Sequence, residues 1–153
     1  MQKEDAMQAT RIPILGTMIL MPAMFAYGQS SPVGRWRTPD DKSGQPASIV
    51  TIWEEDGQLT GKIERVFDPY PKESNPKCTA CKDVLKDKPI VGMKILWGLT
   101  LHDAEWSGGR ILDPDSGQTY NCTLTLDSGG GRLKVRGFVR FAVLGRTQYW
   151  QRE

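Results

Sequence analysis

The chain has 153 residues, and its 20 Lys and Arg against 18 Asp and Glu leave a net charge of +2. This near balance argues against a dedicated nucleic-acid-binding protein, which would carry a marked basic excess. Once the N-terminal segment is set aside, the length suits one domain with a single hydrophobic core.

The N-terminal segment, residues 1–28, is predicted to be a cleaved secretory signal peptide. The run 12–27 is apolar and uncharged, basic residues precede it, and small residues near its end mark a cleavage site. An uncleaved membrane anchor is the alternative, but the run contains two prolines and is shorter than the roughly 20 apolar residues of a bilayer span. We therefore expect a periplasmic or secreted protein whose single domain is residues 29–153.

Two strands are predicted before the first hairpin turn. Residues 34–37 place a glycine and a large aromatic side chain, Trp36, in a short extended segment. Residues 47–54 are rich in β-branched side chains, which favour a pleated sheet. The Glu-Asp-Gly sequence at 55–57 is typical of a tight hairpin turn, in which glycine supplies a positive φ.

The next predicted strand, 58–67, contains an irregularity. Apolar and polar residues alternate until Val66, and Arg65 falls on the apolar side, so we expect a β-bulge or the barrel rim there. An Asp-Pro-Tyr-Pro sequence then ends the strand, because proline removes a donor from the hydrogen-bond ladder. Residues 68–88 are predicted to be a long loop, and a helical turn is predicted at 83–88 or at 89–92.

Five further strands complete a predicted all-β fold. Alternation and glycine-containing turns mark them at 93–101, 105–113, 118–126, 132–140 and 146–152. About eight short antiparallel strands favour an up-and-down β-barrel, since closure removes exposed edges. A barrel of this size has an interior just wide enough for side chains or one small ligand.

Alternation also predicts which side chains of two strands face the interior. In 93–101 the inward residues would be Met93, Ile95, Trp97, Leu99 and Leu101. In 132–140 they would be Leu133, Val135, Gly137 and Val139, which turns a basic stripe outward: Arg132, Lys134, Arg136 and Arg140. Such a stripe is ordinarily a solvated strand face, and its functional interpretation is a peripheral contact with anionic groups of the cell envelope.

The three cysteines leave several pairings open. A disulfide between Cys78 and Cys81 would staple the long loop in an oxidising compartment. A redox-active pair would need a thioredoxin-like context, which the pattern lacks. A zinc site on Cys78 and Cys81 would need two more ligands, which only Cys122 and the single histidine, His102, could supply, and a strand thiol with one histidine is a poor match. A disulfide that uses Cys122 remains an alternative; otherwise Cys122 is expected to be a small buried hydrophobic residue.

Five tryptophans indicate either an aromatic-lined cavity or an ordinary barrel core. Trp97 and Trp106 are the better cavity candidates, because glycines beside them would leave room. No catalytic unit is predicted, since His102 lies in a turn and no phosphate-binding loop is present. We expect no enzyme, cofactor or metal site.

Blocks throughout residues 34–150 resemble the bacterial family called domain of unknown function 2147. The matching sequences are Gly-x-Trp at 34–36, Asp-Pro-Tyr-Pro at 68–71, Cys-x-x-Cys at 78–81, Pro-Ile-Val-Gly-Met at 89–93, Ile-Leu-Trp-Gly-Leu at 95–99, Trp-x-Gly-Gly at 106–109, Ile-Leu-Asp-Pro at 111–114, Tyr-x-Cys at 120–122, Leu-x-Val-Arg-Gly at 133–137 and Leu-Gly-Arg-Thr-Gln-x-Trp at 144–150. The resemblance implies a lipocalin-like barrel, a periplasmic or secreted location and no assigned activity. It also implies that Arg146 or Arg152 packs over Trp36 at the closed end, as in lipocalins.

The function expected from these features is interior binding of a small hydrophobic or amphipathic molecule. Trp97, Trp106, Trp150 and Tyr120 would line the site, and Arg146 would pair with an acidic head group. The alternative is a ligand-free envelope interaction module that acts through its basic outer face or its cysteine loop. A thiol-active envelope protein is a third hypothesis.

Overall fold

The computed structural model of the chain describes residues 31–67, 75–127, 129–141 and 144–153. These ranges form a closed eight-stranded barrel in which each strand pairs antiparallel with the next, and β1 pairs with β8. The predicted all-β up-and-down barrel is thereby confirmed. The predicted signal peptide and the first part of the long loop, 68–74, lie outside the described residues. Among those residues, no helix is long and apolar enough to cross a membrane.

The observed strands lie within two residues of their predicted bounds. A short 3-10 turn, Asp83–Leu85, precedes β4 and confirms the helical turn expected in the long loop. The strands are β1 (Gly34–Pro39), β2 (Pro46–Glu55), β3 (Gln58–Val66), β4 (Lys94–His102), β5 (Glu105–Asp113), β6 (Gln118–Leu126), β7 (Arg132–Phe138) and β8 (Gly145–Arg152).

The irregularity predicted near Val66 is a β-bulge in β3. Arg65 pairs with Ile49 and Ile63 pairs with Val50, so one extra residue lies in β3 between them. A bulge of this kind reverses the facing of the residues that follow it. Arg65 is consequently exposed, and its guanidinium carbon lies 4.4 Å from the centre of the Phe67 ring.

A second irregularity in β4 contradicts its predicted inward face. Gly98 has φ 76°, and the pairing of β3 with β4 shifts register around it. Leu99 remains buried, whereas Leu101, predicted to face inward, is 51% exposed. The shift at Gly98 interrupts the two-residue period between Trp97 and Leu99. Leu101 keeps the face of Leu99, and it is exposed because it lies at the end of β4, beside the β4–β5 turn.

The end of β7 also differs from its prediction. The strand stops at Phe138 rather than Arg140, and Val139, predicted to face inward, is 67% exposed. The Val139 carbonyl accepts a hydrogen bond of 2.9 Å from the Asn121 side-chain amide. Arg140 therefore belongs to the loop between β7 and β8 and not to the outer stripe of the strand.

Arg152 closes one end of the barrel over Trp36. Its guanidinium carbon lies 4.3 Å from the centre of the Trp36 ring, and it donates hydrogen bonds to the carbonyls of Ser31, Val33 and Gly130. A Cβ on Gly34, whose φ is 135°, would lie 2.9 Å from the Arg152 guanidinium. Because Gly34 has no side chain, the Arg152 guanidinium has room to lie there. Arg152, and not Arg146, is therefore the arginine that packs over Trp36, as the resemblance to lipocalins implied for one of the two.

The half of the barrel next to this end is filled by side chains. Its core comes from strand segments near the β2–β3, β4–β5 and β6–β7 turns. Six large side chains there are at most 1% exposed: Trp36, Ile52, Leu59, Leu99, Leu124 and Leu133.

Candidate functional site

The other half of the barrel encloses a cavity of about 950 Å³. This volume is near the upper end of the roughly 300–1,000 Å³ found for small-molecule sites. The wall at its inner end is formed by buried side chains: Val50, Ile63, Ile95, Leu112, Val135 and Trp150. The cavity can therefore accept an apolar group at its inner end.

Gly137 contributes to the width of the cavity. It lies in β7 with an ordinary φ, and a Cβ placed on it would contact Tyr120 at 3.5 Å and Ile111 at 3.7 Å. All three residues line the cavity. The missing side chain thus leaves interior space between β5, β6 and β7, and a larger residue at this position would project into the ligand volume.

The mouth of the cavity lies among the connections at the end opposite Arg152. The β1–β2 loop, 40–45, the β5–β6 turn and the β7–β8 loop all contribute lining residues. Several of them are exposed, including Lys42, Ser43 and Arg146. The cavity therefore opens to solvent at this end.

A line of hydrogen bonds leads from the interior to the mouth. The Trp150 indole N–H donates to the Gln148 side-chain oxygen at 2.9 Å, and the Gln148 amide donates to Asp41 at 2.7 Å. The other Asp41 oxygen forms an ion pair with Arg146. One wall of the cavity is thus polar, and its polarity increases towards solvent.

The β1–β2 loop holds Asp41 in place through its own hydrogen bonds. Asp40 accepts hydrogen bonds from the Ser43 hydroxyl at 2.6 Å and the Ser43 backbone N–H at 2.8 Å, and these bonds lower the pKa of the Asp40 carboxyl. Two backbone hydrogen bonds, from Asp40 N–H to Gln45 and from Gly44 N–H to Asp40, close the loop. The loop is therefore compact, and Asp40 stays ionised at neutral pH.

The charges around the mouth are mainly negative. The lining residues include four carboxylates and two cations: Asp40, Asp41, Asp113 and Asp115 against Lys42 and Arg146. Because Arg146 is paired with Asp41, its charge is compensated within the protein. The field at the mouth thus favours a neutral or positively charged group over an added anion.

Three of the five residues predicted to contact a ligand lie at the cavity, and two do not. Trp150, Tyr120 and Arg146 line the cavity, whereas Trp97 and Trp106 are absent from its lining. The latter two are half-buried and pack against the hydrophobic core.

The glycines near these tryptophans bring β4 and β5 together instead of making room for a ligand. A Cβ on Gly109 would lie 2.5 Å from the Trp97 carbonyl oxygen and from the Leu99 side chain. The sequence reasoning missed the β1–β2 loop and Gln148. It placed Gly137 on the inward face of its strand, where the structure leaves space in the cavity.

The cysteine loop covers the barrel beside the mouth. Cys78 and Cys81 form the predicted disulfide, and both are buried. The loop sits directly on the β5–β6 turn, where a Cβ on Gly117 would lie 2.0 Å from the Ala80 carbonyl oxygen. Ile90, which follows this loop and precedes β4, lines the cavity.

Cys122 is the free cysteine, so the alternative pairings with it are excluded. It is buried in β6, and burial raises the pKa of its thiol to about 12. His102 lies at the β4–β5 turn, where its Nε2 is 2.9 Å from the Thr100 hydroxyl, at the end of the barrel away from the cavity. Among the described residues, no cluster of three or more His, Cys, Asp or Glu side chains could hold a metal ion.

An up-and-down barrel sealed by an arginine over a tryptophan and open at its other end is a lipocalin-like fold. Protein HP1028 from the human pathogen Helicobacter pylori, described as belonging to the lipocalin family, has a similar structure, with a TM-score of 0.69 and 18% sequence identity. The match covers 80% of this chain and 83% of that chain. At this identity the likeness concerns the fold.

The family of the chain follows from its sequence. The model of a bacterial family described as an uncharacterized protein conserved in bacteria, DUF2147, matches residues 34–152. The chain belongs to this family, and the resemblance seen in the sequence is confirmed. Comparison with curated proteins returned no match.

Proposed function

We propose that this protein is an exported binding protein, not an enzyme, and that it holds one hydrophobic or amphipathic molecule in its barrel. The observation that carries the proposal is the cavity, with its apolar inner end and its polar, open mouth. An alkyl chain or apolar ring would occupy the inner end beside Trp150, where its burial stabilises the complex. A polar head group would remain at the mouth.

The charges at the mouth narrow the class of head group. Arg146, which the sequence suggested as a partner for an acidic head group, is engaged by Asp41. An acid would have to displace that carboxylate and would also meet the negative field of Asp40, Asp113 and Asp115. We therefore expect neutral, zwitterionic or cationic amphiphiles to bind better than simple acids.

A ligand series with one tail and several head groups tests this function. Dodecanol, dodecylphosphocholine, dodecyltrimethylammonium and dodecanoate, each below its micellar concentration, are titrated calorimetrically into chain 29–153. The expected order of affinity places dodecanoate last. A protein that binds none of the four compounds would contradict the proposal.

A matched pair of glycine variants shows whether binding occurs in the cavity. Gly137→Phe places a ring in the space between Tyr120 and Ile111 and is expected to abolish binding. Gly131→Phe makes the same change at a position with no atom within 4 Å of a new Cβ and is expected to bind normally. Equal binding by both variants would place the ligand elsewhere.

Export of the protein is tested by a separate measurement. It is supported by the signal-peptide pattern of residues 1–28 and agrees with the buried disulfide of the cysteine loop. We expect mass spectrometry of the protein from the envelope fraction of its bacterial host to find Gln29 as the first residue. Recovery of the protein in the cytoplasm with residues 1–28 attached would refute export.

A further inference from the structure

Two hydroxyl groups lie against each other in the cavity wall, apart from the hydrogen bonds that lead to the mouth. Thr38 in β1 pairs with Ser48 in β2, and both residues line the cavity. Their side-chain oxygens are 2.8 Å apart, and Thr38 is only 7% exposed. A few polar groups placed in the wall of an apolar pocket are what orients a small molecule there.

This hydroxyl pair has one hydrogen to spare. A hydrogen bond between two hydroxyls uses only one of their two hydrogens. In the part of the chain that the structure describes, the one further acceptor within reach is the Ser48 carbonyl. It lies 3.5 Å from the Thr38 oxygen, well beyond the usual distance of about 2.7 Å for an O–H···O bond. When Thr38 donates to the Ser48 oxygen, the Ser48 O–H is therefore available to the cavity.

Strand β8, on the other side of β1, supplies a second donor. Continuing the register of β1 with β8 by one residue places Thr38 opposite Trp150, whose N–H is bound to Gln148. The Gln148 amide carries two hydrogens and donates one of them to Asp41. The other has no partner among the described residues, and Gln148 lines the cavity. We call the Ser48 hydroxyl and the Gln148 amide the wall donors.

The hydroxyl pair lies between the apolar inner end of the cavity and its mouth. In β2, Ser48 is two residues from Val50 of the inner wall, and in β1, Thr38 is two residues from Asp40 of the mouth. Two residues of a strand span about 7 Å. A group bound at this level therefore lies about 7 Å below the mouth and directly above the apolar wall.

We propose that the wall donors bind a carbonyl oxygen, and that the ligand is an amphiphile whose tail is joined to its head by an ester or an amide. This inference rests on the proposed function, since it concerns a molecule held in the cavity. A carbonyl oxygen has two lone pairs, so it accepts from both donors. A head about 7 Å long, the size of a glycerol unit, reaches the mouth from this level.

An alkyl chain without the carbonyl binds less well at the same position. Its entry displaces water from the wall donors without replacing the lost hydrogen bonds, and unpaired donors in a water-free site are costly. Sites that pair with a polar group discriminate for this reason against analogues that lack it. The wall donors therefore select the linkage of the ligand, whereas the charges at the mouth select its head.

Two neutral lipids that differ only in their linkage test the inference. Monododecanoylglycerol carries the ester carbonyl, and monododecylglycerol has an ether in its place. Each is titrated calorimetrically, below its aggregation concentration, into chain 29–153, which contains the closed barrel and omits the apolar run 12–27 that would itself bind lipid. We expect the wild type to bind the ester about tenfold more tightly than the ether.

A matched pair of serine variants assigns the preference to the wall donors. Ser48→Ala removes one donor and should reduce the preference for the ester to about twofold, with little change in affinity for the ether. Ser107→Ala makes the same change on β5, outside the lining of the cavity, and should keep the tenfold preference.

Infrared spectroscopy of the bound ester, isotope-labelled at its carbonyl carbon, reports the hydrogen bond directly. Because a hydrogen bond lowers the carbonyl stretching frequency, the complex with wild type should absorb at lower frequency than the complex with Ser48→Ala. Identical frequencies in the two complexes would show that Ser48 does not contact the carbonyl.

The outcomes separate this inference from the proposed function. Binding of both lipids with equal affinity, or tighter binding of the ether, would refute the carbonyl site and leave the cavity as a binding site. A preference that Ser48→Ala leaves unchanged would also overturn the assignment. Failure of both lipids to bind would refute the carbonyl site together with binding of such amphiphiles. The comparison of the two lipids on the wild type needs no variant, so it decides the matter even where Ser48→Ala does not fold.

Discussion

Asp41→Asn is expected to change the head-group preference of the cavity without changing its affinity for the tail. The substitution removes one negative charge from the mouth and releases Arg146 from its ion pair. The asparagine side-chain oxygen can still accept the hydrogen bond from Gln148, so the β1–β2 loop keeps this contact. The variant therefore isolates the charge from the shape of the site.

The size of the change follows from the exposure of the two side chains. Arg146 is 61% and Asp41 38% exposed, so their fields act largely through water. Two unit charges 4 Å apart interact by about 1 kcal/mol in that medium, which corresponds to about fivefold in affinity. We expect the variant to bind dodecanoate about fivefold more tightly and dodecyltrimethylammonium about fivefold more weakly, with dodecanol unchanged.

Calorimetric titration of the three compounds at low salt measures the effect, and high salt should reduce it. Asp103→Asn serves as the control, because Asp103 lies in the β4–β5 turn at the closed end and asparagine tolerates its φ of 55°. A parallel loss of all three affinities would mean that the loop had collapsed. Unchanged preference would show that the head group does not lie beside Asp41, and it would refute the charge argument.

Three further predictions concern stability and are measured by urea denaturation. Arg152→Met should lower the free energy of unfolding by about 2 kcal/mol, because the contact with the aromatic ring and three hydrogen bonds are lost; Arg146→Met, at an exposed ion pair, should cost less than about 1 kcal/mol. Gly117→Ala should destabilise by about 2 kcal/mol or more, since φ is 67° and the new methyl would overlap the cysteine loop, whereas Gly131→Ala should be nearly neutral. Burial raises the pKa of Cys122 from 9.0 to about 12, so above pH 9 the unfolded chain loses a proton that the folded chain keeps. The wild type should therefore lose up to about 1.4 kcal/mol of stability per pH unit above 9 relative to Cys122→Ala. Equal pH dependence of these two proteins would contradict the raised pKa of Cys122. Equal costs of Arg152→Met and Arg146→Met, or of Gly117→Ala and Gly131→Ala, would contradict the other two predictions.

The strand order was predictable because its signals are local. Each strand pairs with the next, so alternation and glycine-containing turns were enough to place eight strands within two residues. The bulge in β3 was also visible, since Val66 broke the alternation. The shift at Gly98 was not, because the apolar residues continue on both sides of it and the pattern alone does not show a change of face.

The position of the cavity was not predictable, because it depends on contacts between distant parts of the chain. Asp41 and Gln148 are 107 residues apart, and only the closure of β1 against β8 brings them together. The same closure pairs Trp36 with Arg152, which decides which arginine seals the barrel. Composition suggested an aromatic-lined interior, but it could not show that Trp97 and Trp106 pack outside the cavity.

Strand β8 joins the two ends of the barrel in one alternating series. Arg146 and Gln148 line the mouth, Trp150 lies at the inner end of the cavity, and Arg152 covers Trp36. Since successive side chains of a strand face opposite sides, these four positions, two residues apart, all face the interior. A slip of one residue in the pairing of β8 would turn the whole series outward, so register and the cavity are specified together. A single strand, β8, therefore supplies the polar residues of the mouth, the tryptophan at the inner end of the cavity and the arginine at the sealed end.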